Sequence, residues 1–220
     1  ATVQSASVTI EGSTFFRNYA PRGEGGCLLL EGAEATLQHT VFDACGGTAG
    51  AAIKAAGAST MNITAVEFLY NTAAHGQGGA LLLSSLTEVY LEDCLFVGNI
   101  GAGAGAVAVV GNTIVNVDGC VFEDNIALVK SSHSSVSRGG ALFGVGDVDF
   151  NLRTSNFTGN SAAEQGGAVF HQGRNLILSA CHLSDNSAPA GGAISALLSS
   201  WTLQIYDCTF EANESTGDGG

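Results

Sequence analysis

The stretch GGALLLSSLTEVYLEDCLFVGN, residues 78–99, contains the two tags that decide the fold. It opens on Gly78-Gly79-Ala80-Leu81 and closes on Phe96-Val97-Gly98-Asn99. Both tags, or close variants of them, recur in phase along the whole chain. The fourth position of the second tag falls at 18, 45, 71, 99, 125, 160, 186 and 213, so the successive steps are 27, 26, 28, 26, 35, 26 and 27. The chain is therefore a repeat with a period of about 26–27 residues.

Each repeat carries stretches that alternate like β-strands. Seven and five positions before the tag aromatic, the residues are apolar in every copy, as in Val89 and Leu91. The alternate positions are mostly polar, as in Asn116 and Asp118, which gives one buried and one solvated face. Such a unit cannot bury its apolar face alone, but stacked copies can, with equivalent residues about 4.8 Å apart. The pattern predicts an all-β fold, a right-handed parallel β-helix (solenoid) of about eight coils over residues 1–220.

One repeat is longer than the others. The step of 35 residues is explained by an inserted loop at residues 128–138, where LVKSSHSSVSR is polar and serine-rich. The first and last copies have no atypical capping sequence, and uncovered β-helix ends are edges that aggregate. We therefore expect a segment of a longer repeat protein, stacked on further coils of the same chain or on neighbouring subunits.

The paired GGA[ILV] and FxxN tags resemble the repeats of the chlamydial polymorphic outer-membrane proteins. Similar repeats occur in large surface proteins of other bacteria, algae and protists, all in the pectin-lyase-like β-helix class. The resemblance covers essentially all 220 residues. It implies an extracellular or cell-surface protein with a structural or adhesive role, as an adhesin or as a scaffold in a filament or wall layer.

The composition excludes several classes of partner. Seven Lys and Arg against 20 Asp and Glu give a net charge of -13 and a pI of about 4.5. Nucleic-acid binders and electrostatic membrane anchors need a cationic face, so both are excluded. The most apolar run, residues 100–111, is too short and glycine-rich to span a bilayer. Six cysteines fit an oxidising compartment.

The alternative function is a carbohydrate-active enzyme, because pectin-lyase-like folds also include polysaccharide lyases and glycoside hydrolases. Hydrolysis needs paired carboxylates, and Glu92 and Asp118 occupy equivalent outward positions in adjacent coils. Lyase chemistry needs a cationic base, and the only lysines are Lys54 and Lys130. The five histidines fall at unrelated points of the repeat, and His171 is interpreted as a hydrogen-bonded core residue. We expect no catalytic residues, no metal site and no cofactor.

The cysteines occupy repeated positions. Three candidate disulfide pairs follow from the repeat: Cys94–Cys120, Cys181–Cys208 and Cys27–Cys45. The first two pairs share one inward position in consecutive coils, about 4.8 Å apart, so a ladder of buried free thiols is the alternative. Both members of the third pair replace tag residues within one coil, which suggests a compensating bond.

The tag asparagines are predicted to form an inward ladder at the turn before the glycines, because stacked amides can bond to each other and to the turn backbone. The expected rungs are Asn18, Asn71, Asn99, Asn125, Asn160, Asn186 and Asn213, with Cys45 interrupting the series. Three N-glycosylation sequons are present. Asn62 and Asn156 lie at outward positions and can carry a glycan, whereas Asn213 is a ladder position and is expected to stay bare.

One outward column places Phe143 and Phe170 side by side in successive coils. Either a loop covers them, or they form a contact patch for a partner or for lateral packing. The partners expected overall are further coils or subunits and host-cell or matrix glycans or proteins.

Overall fold

Four parallel β-sheets, A to D, run along the molecule, and the chain passes through them in that order in each coil, except that the described part of the first coil has no strand in sheet D. The structure is a computed structural model that describes residues 1–4, 7–57, 60–128, 137–197 and 202–219. These residues contain 31 strands and no helix. The result is the predicted right-handed parallel β-helix, with about seven turns and eight strands in three of its sheets.

Sheets A and B form the first half of each coil. Sheet A contains β1 (Thr2–Gln4), β4 (Leu28–Glu31), β8 (Ile53–Ala56), β12 (Leu81–Ser84), β16 (Val107–Val110), β20 (Leu142–Val145), β24 (Val169–Gln172) and β28 (Ile194–Ala196). Sheet B contains β2 (Ser7–Glu11), β5 (Glu34–Gln38), β9 (Thr60–Thr64), β13 (Glu88–Glu92), β17 (Thr113–Asp118), β21 (Val148–Arg153), β25 (Leu176–Ser179) and β29 (Leu203–Tyr206).

Sheets C and D form the second half. Sheet C contains β3 (Thr14–Phe16), β6 (Val41–Asp43), β10 (Glu67–Leu69), β14 (Leu95–Val97), β18 (Val121–Glu123), β22 (Asn156–Thr158), β26 (His182–Ser184) and β30 (Thr209–Glu211). Sheet D contains β7 (Gly46–Gly47), β11 (Thr72–Ala73), β15 (Ile100–Gly101), β19 (Ile126–Ala127), β23 (Ser161–Ala162), β27 (Ser187–Ala188) and β31 (Glu214–Ser215).

The register of the sheets follows the repeat. Phe96 pairs with Phe122 in the next coil, and Phe122 pairs with Phe157 across the long step. The predicted insertion at 128–138 falls mainly on residues 129–136, outside the described part of the chain. At its far end, Arg138 forms a parallel bridge to Gln165, so the chain is back in register there.

The corners between sheets depend on residues in the left-handed region. Every corner between sheets B and C has one such residue three positions before the tag aromatic, for example Ala65 with φ 52°. Every corner between sheets C and D has another two positions after the aromatic, for example Tyr70 with φ 54°. The left-handed conformation costs a non-glycine residue about 1–2 kcal/mol. Packing of the coil therefore compensates for a repeated local cost.

The glycine tag forms the tightest turn, at the start of sheet A. Gly78 has φ 71°, and a Cβ on it would lie 1.9 Å from the carbonyl oxygen of Leu81. A Cβ on Gly79 would lie 2.0 Å from the carbonyl oxygen of Gly105 in the next coil. Both contacts are too short for any side chain, which explains why the pair recurs.

The core is a set of parallel side-chain columns inside the coil. The tag phenylalanines form one column, with ring centroids 4.7 Å apart from Phe68 to Phe96 and again from Phe96 to Phe122. Phe68, Phe96 and Phe122 are fully buried. Burying one phenylalanine contributes about 1.5–3 kcal/mol, so the column is a major source of stability.

Candidate functional site

The tag asparagines lie inside the corner between sheets C and D and bond along the helix axis. Asn99 Nδ2 donates to Asn125 Oδ1 at 2.9 Å and to the Phe68 carbonyl oxygen of the preceding coil at 2.9 Å. The Asn99 backbone N–H donates to the same Asn125 Oδ1 at 3.0 Å. The same pattern links Asn71, Asn99, Asn125, Asn160, Asn186 and Asn213. Each interior amide therefore donates two bonds and accepts two, which offsets the cost of burying it.

Asn18 does not belong to this ladder, which corrects the prediction. Its side chain is exposed, and its amide donates only to the Phe16 carbonyl oxygen at 3.5 Å. The next coil presents Cys45 at this position, which has no side-chain oxygen to accept a bond. Cys45 closes the ladder instead, because its backbone N–H donates to Asn71 Oδ1 at 2.9 Å.

The cysteines divide into one disulfide and four thiols. Cys27 and Cys45 are bonded, with Cα atoms 5.9 Å apart. For the other two candidate pairs the structure has the alternative, free thiols in place of disulfides, at Cys94, Cys120, Cys181 and Cys208. Side chains stacked in one inward column point in parallel rather than toward each other. The Cys94 backbone N–H instead donates to Cys120 Sγ at 3.4 Å. Hydrogen bonding to Cys94 and burial raise the pKa of the Cys120 thiol.

Phe143 and Phe170 are buried, so of the two interpretations of this column the covered one is confirmed and the contact patch is wrong. Their ring centroids lie 5.5 Å apart on the outer face of sheet A. Ala49 and Ala104, from the loops that lead from sheet D back to sheet A, belong to the same buried cluster. The Arg138 guanidinium lies 4.8 Å from the centroid of Phe170. The returning loops therefore cover this face and leave nothing for a partner.

The sequons occupy different environments. Asn62 and Asn156 are exposed on the outer faces of sheets B and C. Asn213 is partly buried and accepts bonds from the Asn186 backbone and side chain. Its own amide donates to the Leu183 carbonyl oxygen at 2.8 Å.

His171 faces inward, but the expected hydrogen bond is absent. It is fully buried, and within the described residues neither ring nitrogen has a partner. Its ring is tilted against Phe150, with centroids 5.2 Å apart. Burial lowers the pKa of His171 to about 4, and the charge of Asp149 opposes this only in part. The residue is thus held as a neutral imidazole.

The outer face of sheet B carries a shallow groove across strands β13, β17 and β21. Its volume is about 290 Å³, and its lining includes Tyr90, Glu92, Asn116, Asp118, Asn151 and Arg153. Glu92 and Asp118 are paired in register. The Asp118 carboxylate accepts a bond from the Thr154 hydroxyl. The groove therefore holds the two acids of the enzyme alternative beside an exposed aromatic ring.

A second outer surface, on sheets C and D, is apolar. It consists of Leu69, Leu95, Val97, Val121, Ile100 and Ile126, all half-buried. Register places Leu69 beside Val97, and Leu95 beside Val121. Sequence reasoning missed this surface, although four of its residues directly flank a tag aromatic. The groove at Tyr90 has no repeated pattern in the sequence, because only one of the equivalent positions in the coils is aromatic.

Two kinds of site have no counterpart in the described ranges. No three His, Cys, Asp or Glu side chains converge there as a metal site would require. The same residues include no helix of a length and hydropathy suited to crossing a bilayer.

Comparison with known proteins supports the architecture. Residues 1–122 match the family described as right handed beta helix region, and residues 154–172 match the Chlamydia polymorphic membrane protein repeat. Metabotropic glutamate receptor-like protein R of Dictyostelium discoideum is 28% identical over 157 residues, which covers 67% of this chain. Metabotropic glutamate receptor-like protein P of the same organism is 29% identical over 159 residues, or 71% of the chain. The match spans 10% of each relative. No solved structure matches.

Proposed function

The chain belongs to the right-handed β-helix family, and on that premise we propose that it is a non-enzymatic structural or adhesive segment of an extracellular or cell-surface protein. The match to the polymorphic membrane protein repeat and the receptor-like relatives support this role. The match spans only a tenth of each relative. Its partners are further coils or subunits, and glycans or proteins of a host cell or matrix.

The observation that carries the proposal is the regular stacking of the coils. Sheets A, B and C each join eight strands in parallel, and the tag asparagines bond from coil to coil along the axis. Stacked repeats of this kind form a stiff solenoid with an extended outer surface, which suits spacing and display.

The experiment is immunolabelling of intact, unpermeabilised source cells with an antibody raised against this chain. We expect surface label on an elongated assembly under electron microscopy. Beads coated with the chain should bind cells or matrix more than beads coated with an unrelated acidic protein. Label that appears only after permeabilisation would contradict the proposal.

The enzyme remains the second candidate, because one observation favours it: Glu92 and Asp118 stand in register on one groove. A panel of polysaccharides, including polygalacturonate, would be assayed for new chain ends. Cleavage by the parent that is lost in the Glu92→Gln/Asp118→Asn variant would replace the structural proposal with a glycoside hydrolase or lyase.

A further inference from the structure

The groove on sheet B has an aromatic platform that the coil architecture does not require. Tyr90 points outward from the middle of β13 and is 41% exposed. Its neighbours in register are Asn62 on one side and Asn116 on the other. The inward residues of β13, Val89 and Leu91, fill the core, so the ring lies outside it. An exposed aromatic face beside polar side chains is suited to an amphipathic ligand.

The amides beside Tyr90 are held in fixed orientations. Asn116 Nδ2 donates to Glu88 Oε1 at 2.9 Å, and Asn151 Nδ2 donates to Asn116 Oδ1 at 3.0 Å. All three side chains are half-buried. Groups fixed in this way lose little freedom when a ligand binds.

The charge of the surface restricts the ligand. The groove and its edge carry three acids and one cation: Glu88, Glu92 and Asp118 against Arg153. The whole chain has a net charge of -13. Uronates, sulfated sugars and nucleic acids are repelled by this field. The described residues hold no metal-binding cluster that would bridge an anionic ligand to these acids.

We propose that the groove binds a neutral polysaccharide, with one pyranose ring stacked on Tyr90 and its hydroxyls bonded to Asn116, Asn151 and Asp118. The groove volume of about 290 Å³ is at the lower end of ordinary ligand pockets, roughly 300–1,000 Å³, so it holds a short stretch of a longer chain. The proposal rests on the adhesive role proposed above and names its ligand. The sugar chain is bound and not cleaved.

The test is co-sedimentation of the 220-residue chain with insoluble cellulose, chitin and mannan, and with polygalacturonate gel as the charged reference. The protein is made in bacteria, so that no glycan on Asn62, which neighbours Tyr90 in register, contributes to the measured binding. We expect binding to at least one neutral polysaccharide and weaker binding to the gel. Tyr90→Ala should lower the affinity about tenfold, whereas Tyr90→Phe should retain most of it.

Tyr206 supplies the matched control, since it is another exposed tyrosine on the outer face of sheet B but lies outside the groove. Tyr206→Ala should bind like the parent, and circular dichroism should show all variants folded. The inference is overturned if no neutral polysaccharide is bound, if the charged gel is preferred, or if Tyr90→Ala binds like the parent. If beads coated with the Tyr90→Ala variant still adhere to cells, the adhesive role stands and this groove is rejected as its site. If intact source cells show no surface label with the antibody, the adhesive role itself is rejected.

Discussion

Replacing His171 tests whether the core holds a neutral imidazole. The folded-state pKa is about 4, against an ordinary value of 6.5. Between these values the unfolded chain binds a proton that the folded chain does not, so stability is full above pH 6.5 and is lost as the pH falls toward 4. Each pH unit between the two pKa values is equivalent to about 1.4 kcal/mol. Because of His171 alone, the free energy of unfolding should therefore fall by about 3 kcal/mol when the pH is lowered from 7 to 4.

The assay is urea denaturation, followed by circular dichroism at several pH values between 7 and 4, on the parent and on His171→Leu. Leucine is close to histidine in size and does not titrate, so the variant should lose less stability on acidification, by about 3 kcal/mol. His75→Gln, at an exposed histidine, is the control and should follow the parent. Parallel curves for the parent and His171→Leu over this range would refute the argument that burial keeps the ring neutral.

Three further outcomes are expected. Asn125→Leu leaves the buried amide of Asn99 and the other groups bonded to Asn125 without partners, so the free energy of unfolding measured in urea should fall by about 3 kcal/mol or more. Asn62→Leu, at an exposed position, is the control and should stay within about 0.5 kcal/mol of the parent. Thiol titration of the denatured, unreduced protein should find four free thiols among the six cysteines; six would exclude the disulfide. In a glycosylating host, mass spectrometry should find glycans on Asn62 and Asn156 only, and an occupied Asn213 would contradict the ladder as a site closed to sugars.

The features that repeat could be predicted from the sequence. The period and the glycine turns recur along the chain, and the tag aromatic recurs in every copy but one, where Leu183 replaces it, so each copy supports the others. Stacking geometry alone also places the asparagine amides within bonding distance, as at Asn99 and Asn125.

The features that the repeat does not fix were left open by the sequence or were missed. Phe143 and Phe170 could be covered or free to contact a partner, and contacts with the returning loops, which no strand pattern predicts, decide between the two. Cys94 and Cys120 share a column, yet a column fixes spacing and leaves the direction of the side chains parallel. Tyr90 and His171 each occur once in their columns, so nothing in the period marked the groove or the unpartnered ring.

The asparagine ladder also gives the rod a direction. Every interior amide donates its Nδ2 toward the oxygen of the next higher coil, so the side-chain dipoles all point one way and reinforce each other. At every level of the ladder, an amide nitrogen faces the higher-numbered coil and an amide oxygen faces the lower-numbered one. The stack is therefore chemically polar along its axis, and a coil inserted in the reverse sense would set donor against donor.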